Sequence, residues 1–315
     1  MTSGILTLTM NPTIDVSAVT DSVVPTDKLR CRDAHRDSGG GGINVARVIG
    51  RFGRTCRAIY PAGGAQGQQL RGILVEQGVD SLAIDVSAET RESFSITEAR
   101  SGAQYRFVLP GDPLGQADWQ ACIDAVATHA KPHHYVVASG SLPPGVPDDF
   151  YARLAGELVG RKVRLVIDSS GRALDAAIRN GIYLAKPNLQ ELRDLTGSLL
   201  ERRSEWEEAA ADLVRNHQVE IVLLTLGEEG AFLATRDLRV RADAVPVEAV
   251  SAVGAGDSCL AAMVWRLALG DAPEAAFRYA IAAGSAALLT PGTDLCHKEE
   301  VERLLGQVRT EVLEC

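Results

Sequence analysis

The chain has 315 residues, 46% of them hydrophobic and 23% charged, with a formal net charge of −9. At roughly 150 residues per domain, that length fits two units or one large α/β domain whose core needs no staple. The acidic balance argues against a general nucleic-acid binder but leaves room for a local basic patch facing an anionic small molecule.

In chain order, Ile5–Met10 reads as a first strand and Asp15–His35 as extended and polar. Gly39-Gly40-Gly41-Gly42 precedes a helix over Ile43–Phe52, where Ile43, Ala46, Val48, Ile49 and Phe52 share a broad face. Cys56–Tyr60 reads as a strand, Gln66–Gln77 as a helix, and Phe94–Thr97 with Tyr105–Leu109 as a hairpin about Ser101-Gly102. Tyr135–Ser139, Val163–Asp168, Ile182–Ala185 and Ile221–Thr225 are further short strands. Helices at Asp148–Val159, Gly171–Arg179 and Glu205–Asn216 fall between them. After Gly230 come two more strands, then helices at Ala255–Leu269, Glu274–Leu289 and Lys298–Leu313. This alternation predicts an α/β fold, a mainly parallel sheet with helices on both faces. The stretches at about 15–36 and 91–109 break it. They read as a small accessory sheet inserted in one domain spanning 1–315, a lid over a cleft.

The apolar stretches near 259–265 and 281–290 fall short of the ~20 residues a bilayer needs. Met1 to Met10 carries neither a basic residue nor a cleavage signal, and Cys31, Cys56, Cys122, Cys259, Cys296 and Cys315 form no C-x-x-C pair. The expectation is a cytoplasmic protein with free thiols and no membrane partner.

Two glycine turns carry the chemistry. Four consecutive glycines are costly in backbone entropy. They make either a flexible turn or a place where a helix N-terminus meets a polar or anionic ligand. A dinucleotide fingerprint fits badly, because Asn44 stands where its last glycine belongs, and no Lys-Ser or Lys-Thr follows as in a P-loop. Val253-Gly254-Ala255-Gly256-Asp257 opens a second helix. As a plain helix start, Asp257 is worth ~0.3–1 kcal/mol through the dipole, which leaves the glycines unexplained. Phosphoryl transfer accounts for both. The amides of Gly254, Ala255 and Gly256 would neutralise the transferred group, and Asp257 would take the proton of the attacking hydroxyl.

From Lys28 to Arg57 the chain carries a local charge of +6. The helix arginines 47–57 read as a solvated face. Arg30 and Arg91 lie in or beside the lid, where guanidinium forks suit a phosphate. Lys186-Pro187-Asn188 follows a strand at its carboxyl end, where open α/β sheets place ligands. Asp168 also ends a strand. It either orders the site or caps the next helix.

These turns resemble, in this order, those of the ribokinase-like (pfkB) carbohydrate kinases, over nearly the whole chain from Thr7 to about Cys296. The opening Thr7-Leu8-Thr9-Met10-Asn11-Pro12-Thr13-Ile14-Asp15 and Ser139-Gly140-Ser141-Leu142-Pro143-Pro144-Gly145 look like the versions in kinases of phosphorylated ketohexoses. Lys28-Leu29-Arg30-Cys31, Gln104-Tyr105-Arg106-Phe107 and Asp168-Ser169-Ser170-Gly171 favour members acting on fructose 6-phosphate over those acting on fructose 1-phosphate.

The resemblance implies a three-layer αβα core with a small β-sheet lid, and a homodimer through the lids. It implies ATP and Mg²⁺ as cofactors and a step of glycolysis, transfer to the C1 hydroxyl of fructose 6-phosphate. Asp257 would be the base and Gly254, Ala255 and Gly256 the anion hole. Asp15, Gly40, Gly41 and Asn44 would hold sugar hydroxyls, and Ser141 and Arg91, helped by Lys28 and Arg30, the sugar phosphate. Lys186 and Asn188 would meet the ATP phosphates, and Glu191 of an N-x-x-E element would hold Mg²⁺ largely through water. Thr225, Gly227 and Gly230 would line the nucleotide, with Ala283 and Gly284 near the adenine. The family's D-T-x-G-A-G-D reads Ser251-Ala252-Val253-Gly254-Ala255-Gly256-Asp257 here. The missing Asp leaves K⁺ binding open. Its candidate ligands are Ser251, Val253, Ala287, Thr290 and Gly292, with Asp294 adding charge. Kinases of fructose 1-phosphate or tagatose 6-phosphate would reuse the same residues. A non-catalytic sensor on this scaffold would have no need of Asp257.

Overall fold

A computed structural model describes residues 3–216 and 219–314. Its first part runs β1 (Ile5–Leu8), β2 (Thr13–Thr20), β3 (Arg32–Gly39), α1 (Gly41–Arg51), β4 (Cys56–Ala62), α2 (Gly64–Glu76) and β5 (Ser81–Asp85). Then come β6 (Arg91–Glu98), β7 (Gln104–Val108), α3 (Gln116–His129), β8 (Tyr135–Ser139), α4 (Phe150–Leu158), β9 (Arg164–Asp168), α5 (Gly171–Arg179) and β10 (Ile182–Ala185). The rest is α6 (Leu189–Thr196), α7 (Arg203–Asn216), β11 (Val219–Thr225), β12 (Ala231–Thr235), β13 (Arg239–Ala242), α8 (Ala255–Leu269), α9 (Pro273–Ala287), α10 (Lys298–Leu305) and β14 (Thr310–Leu313).

The large sheet has the order β14-β13-β12-β11-β10-β9-β8-β1-β4-β5. From β11 to β5 every pairing is parallel, while β12, β13 and β14 add on antiparallel. Strand alternation sorts the core into two layers. Ile5 with Val137, Val166 and Leu184 packs under α1, α8 and α9, whereas Leu6 and Leu8 with Val136 and Ile167 pack under α3, α4 and α5. The fold is thus the ribokinase-like αβα sandwich. From β1 the chain builds outward to β4 and β5 on one side and then to β8, β9 and β10 on the other. That reversal opens a crevice at the carboxyl ends of β1 and β8, where such sheets bind ligands.

The stretches that break the alternation form a separate sheet of order β3-β2-β6-β7. Among the described residues, no helix is long and apolar enough to cross a membrane. Cys31, Cys56, Cys122, Cys259 and Cys296 are unpaired, and the expectation for Cys315 lies outside the described residues.

Two expectations need correction. The last helix stops at Leu305 rather than Leu313, and the chain returns as β14 beside β13. The helical stretch ends at Gly306, and Thr310 and Val312 are β-branched residues that pair with an edge otherwise left open. The arginines of α1 and its exit are also no solvated face. Arg47 is only 7% exposed. Arg51 donates to the Leu295 carbonyl at 2.6 Å and to Asp294 at 2.8 Å, Arg54 donates to the Ser3 carbonyl, and Arg57 pairs with Asp80. Arg51 and Arg54 thus fasten α1 and its exit to segments remote in sequence, while Arg57, in β4, stays partly exposed.

Candidate active site

Three parallel strands deliver polar residues to one point. Ser139 ends β8, Asp168 ends β9, and Lys186 follows β10. Lys186 Nζ stands 3.0 Å from Asp168 Oδ1, and Ser139 Oγ donates to Asp168 Oδ2 at 3.1 Å. Burial works against the charge on Lys186, but the Asp168 carboxylate outweighs it and raises the ammonium's pKa. Of the two readings left open for Asp168, ordering this site is the one its contacts match.

Two helices aim their N-termini here. Gly41 and Gly42 open α1 pressed against the strands. A side chain on Gly41 would collide with Ser139 Oγ, and one on Gly42 would come within 2.7 Å of the Leu8 carbonyl oxygen. The glycine run is therefore a close-approach device rather than a flexible turn. Gly254 caps α8 with φ +77°, in the left-handed region that favours glycine. A Cβ on Gly256 would stand 3.5 Å from Lys186 Nζ, so the ammonium faces the turn. First-turn amides of α8 have no acceptor within the helix and suit an anion, although the Ala255 amide also reaches the Ala252 carbonyl at 3.5 Å.

Asp257 sits in that first turn and accepts from Asn44 Nδ2 at 2.8 Å, which joins the two helix ends. Its pKa is pushed up to about 6, first by burial and then by Asp168, while the Asn44 bond pulls it down. Asp257 therefore ionises near neutrality, as a general base requires.

The small sheet forms the opposite wall. Alternation directs Thr13, Asp15 and Ser17 of β2, Ser93 and Ser95 of β6, and Arg106 and Val108 of β7 to one cavity of about 310 Å³. Registers align Asp15 with Ser93 and Val108, and Ser17 with Ser95 and Arg106. Burial raises the Asp15 pKa to about 6 against the pull of Arg91 and Arg106. Arg91 donates to the carbonyls of Asn11, at 3.0 Å, and Leu109, at 2.7 Å, which fixes its guanidinium at the rim. Asn11 Nδ2 in turn reaches Ser141 Oγ at 3.2 Å.

The cavity thus unites Asp15, Gly40, Gly41, Asn44, Arg91, Ser141, Glu191, Val253, Gly254, Asp257 and Gly292 of the expected residues. Lys28 and Arg30 do not join them. They are exposed in the β2–β3 connection, which lies beyond the Val19–Arg32 end of the strand pair, far along it from Asp15. Arg106 occupies the basic position instead. Its signal was available, because alternation along Gln104–Val108 separates Arg106 from Tyr105 and Phe107.

Asn188 and Glu191 form a capping box at the start of α6, with Asn188 Oδ1 accepting at 2.9 Å and Glu191 Oε2 at 2.8 Å. The N-x-x-E spacing therefore also serves helix initiation. Thr225 is clipped to this loop, its amide donating to the Pro187 carbonyl at 3.0 Å. Gly227 faces open space, whereas a side chain on Gly230 would collide with the Ala242 carbonyl. Ala283 is fully buried in the core and offers no surface, a correction to its expected place, whereas its neighbour Gly284 is partly exposed.

The segments bearing Ser251, Val253, Ala287, Thr290 and Gly292 meet through Val250 N and Ser251 N, both donating to the Leu288 carbonyl. The Asp294 carboxylate is engaged by Arg51 at 2.8 Å and by His297 at 3.3 Å.

A family model described as pfkB family carbohydrate kinase matches residues 7–300. The chain is similar to the ATP-dependent 6-phosphofructokinase isozyme 2 of Mycobacterium tuberculosis (strain CDC 1551 / Oshkosh), 44% identical over 95% of this chain and 88% of that protein. It is 36% identical to the Escherichia coli (strain K12) protein of the same description, over 95% of this chain and 97% of that one. A 1-phosphofructokinase of Borreliella burgdorferi is 28% identical, over 98% of each. Among solved structures, phosphofructokinase-2 from Escherichia coli in complex with potassium superposes with a TM-score of 0.94 at 36% identity, covering 98% of this chain and 99% of that one. The same enzyme in complex with fructose-6-phosphate, and in its tetrameric inhibited form, each gives 0.92 at 35% identity with the same coverage.

Proposed function

The chain belongs to the pfkB family of carbohydrate kinases, and we propose that it transfers the γ-phosphoryl group of ATP to the C1 hydroxyl of fructose 6-phosphate. The products are fructose 1,6-bisphosphate and ADP. One juxtaposition carries this reading. A half-buried carboxylate at the mouth of α8 faces, across one cavity, a wall bearing two arginines. A neutral sugar has no use for both guanidinium groups, whereas a sugar phosphate does.

In this reading the small sheet, about 15–36 and 91–109, is a lid on a single kinase domain. Asp15, Gly40, Gly41 and Asn44 hold sugar hydroxyls, and Arg91, Arg106 and Ser141 hold the 6-phosphate. Asp257 takes the C1 hydroxyl proton as that oxygen attacks in line. The amides of Gly254, Ala255 and Gly256 and the ammonium of Lys186 meet the charge on the moving phosphoryl group. Asn188, Thr225, Gly227 and Gly284 line the nucleotide. Glu191 fits Mg²⁺, a hard ion that keeps several waters, because it lines the cavity with a carboxylate beside the phosphate path. Bound there, Mg²⁺ supplies neutralisation of the β- and γ-phosphate oxygens. Oxygens alone at Ser251, Val253, Ala287, Thr290 and Gly292 fit K⁺.

A coupled ADP-release assay over fructose 6-phosphate, fructose 1-phosphate and tagatose 6-phosphate tests the substrate. Fructose 6-phosphate ranks first in kcat/KM, and a last place overturns the assignment. Arg106→Ala raises the KM for fructose 6-phosphate about 10- to 100-fold with a smaller change in kcat, since a hydrogen bond to a charged group is worth ~1.5–3 kcal/mol. Arg106→Lys recovers little, because the fork is lost. An unchanged KM would remove Arg106 from the phosphate site.

On the face turned away from the cavity the lid exposes Tyr105 and Phe107, with Leu109 at the strand's exit. A second copy covering this apolar patch gives a homodimer. Sedimentation at working concentration shows the dimer, and Phe107→Asp shifts it to monomer. A wild-type monomer would refute this. Unpaired thiols suit a cytoplasmic setting.

A further inference from the structure

We propose that Arg47 is a positioning residue for the transfer. It fixes the amide of Asn44 so that the NH₂ group, not the oxygen, meets Asp257. The inference rests on Asp257 being the base.

Arg47 Nη1 lies 3.3 Å from Asn44 Oδ1, while Asn44 Nδ2 lies 2.8 Å from Asp257 Oδ2. The same nitrogen reaches the carbonyls of Ser38 at 3.1 Å and Thr293 at 3.4 Å, and so shares its two hydrogens among three acceptors. An amide can rotate by half a turn at little cost to its packing. In this site the rotated form sets NH₂ against a guanidinium and an oxygen against a carboxylate. The first contact opposes two donors. The second is tolerable only when Asp257 is protonated, the form that cannot act as base. A fixed positive charge on the oxygen side therefore selects the productive orientation.

The burial of Arg47 is otherwise hard to account for. It is 7% exposed, and among the described residues it makes no ion pair within 4.0 Å. Burying a cation without a paired anion is costly, and an apolar side chain of similar length would stabilise the fold better. Longer-range partners surround it. Asp37, Asp294 and Asp15 favour its charge and Arg51 opposes it. Around Asp257 stand Asp168, Lys186 and Asp15. Thr293 Oγ1 also donates to Asp37 Oδ2 at 2.8 Å, which closes β3 onto the segment that Arg47 holds. Arg47 therefore links the end of the small sheet, the start of α1 and the loop after α9 to the orientation of one amide.

The test is the pH profile of kcat for wild type, Arg47→Met, Arg47→Lys, Asn44→Ala and Asn44→Ala/Arg47→Met. In Arg47→Met the acid limb moves up by about one pH unit. The rate falls about five- to tenfold at pH 6 and returns to within about twofold of wild type at pH 9. KM for fructose 6-phosphate changes less than kcat. Arg47→Lys keeps a charge in the same space and shifts the limb in the same direction by less, which serves if the Met variant does not fold. In the Asn44→Ala background, removing Arg47 moves the limb no further, because the reporter is gone. A purely structural role would lower kcat equally at every pH. An unshifted limb in both Arg47 variants, or a further shift on removing Arg47 from Asn44→Ala, overturns the proposal. Failure of the underlying assignment shows separately, as full turnover in Asp257→Asn with Arg47 intact.

Discussion

Replacing Asp257 by Asn is expected to cut kcat by ~10²–10⁴ while the KM for fructose 6-phosphate stays within about threefold. The change removes a proton acceptor and almost no volume. Asn44 keeps an oxygen to donate to, so the sugar pocket is preserved. The same residue sets the pH dependence. A base acts only when ionised, and the Asp257 pKa is raised to about 6, so the carboxylate is active above that value and inactive below it. In wild type, kcat/KM therefore falls at least tenfold per unit as pH drops well below about 6. Asp257→Asn loses its share of that limb. Asp15, also raised to about 6, accounts for any limb that survives. Wild-type turnover in the variant would take Asp257 out of the mechanism and favour the sensor reading.

Replacing Lys186 by Met is expected to lower unfolding stability by ~3–5 kcal/mol, the cost of leaving one partner of a buried ion pair uncompensated. Asp168 and Lys186 sit 3.0 Å apart with side chains 15% and 7% exposed. Little solvent is available to take over from the lost ammonium. Adding Asp168→Asn restores part of the loss, because the stranded charge is then gone. Urea unfolding of the two variants measures both terms. A loss below about 1 kcal/mol would mean that water reaches Asp168 freely. The KM for ATP rises as well, since Lys186 stands against the glycine turn.

Much of the site was legible in the chain because it is built from backbone. A helix N-terminus attracts anions wherever it occurs, so Gly254–Asp257 announces its chemistry locally. The strands were legible for a similar reason. Short apolar runs such as Tyr135–Ser139 are buried on both faces of a parallel sheet, and their pattern needs no partner to be read. Helix α3 buries Trp119, Cys122, Ile123 and Val126 at helical spacing, a local pattern of the same kind.

Side chains that act through remote partners were not legible in this way. Arg47 belongs to a run of helix arginines indistinguishable from a solvated face until the loop after α9 closes over it. Lys28 and Arg30 carry the right charge, yet strand register places them beyond the cavity, while register and alternation bring Arg106 in. The strand at Thr310–Leu313 exists because β13 offers an open edge, a fact absent from the local pattern. By itself, then, the sequence determined the parallel αβα frame, the two glycine turns and the place of Asp257 in the first turn of a helix, since these follow from local periodicity and helix-end electrostatics. Only the tertiary structure decided which cations face the cavity, how Asn44 is held, and that Asp168 pairs with Lys186, because those depend on distances between residues far apart in the chain.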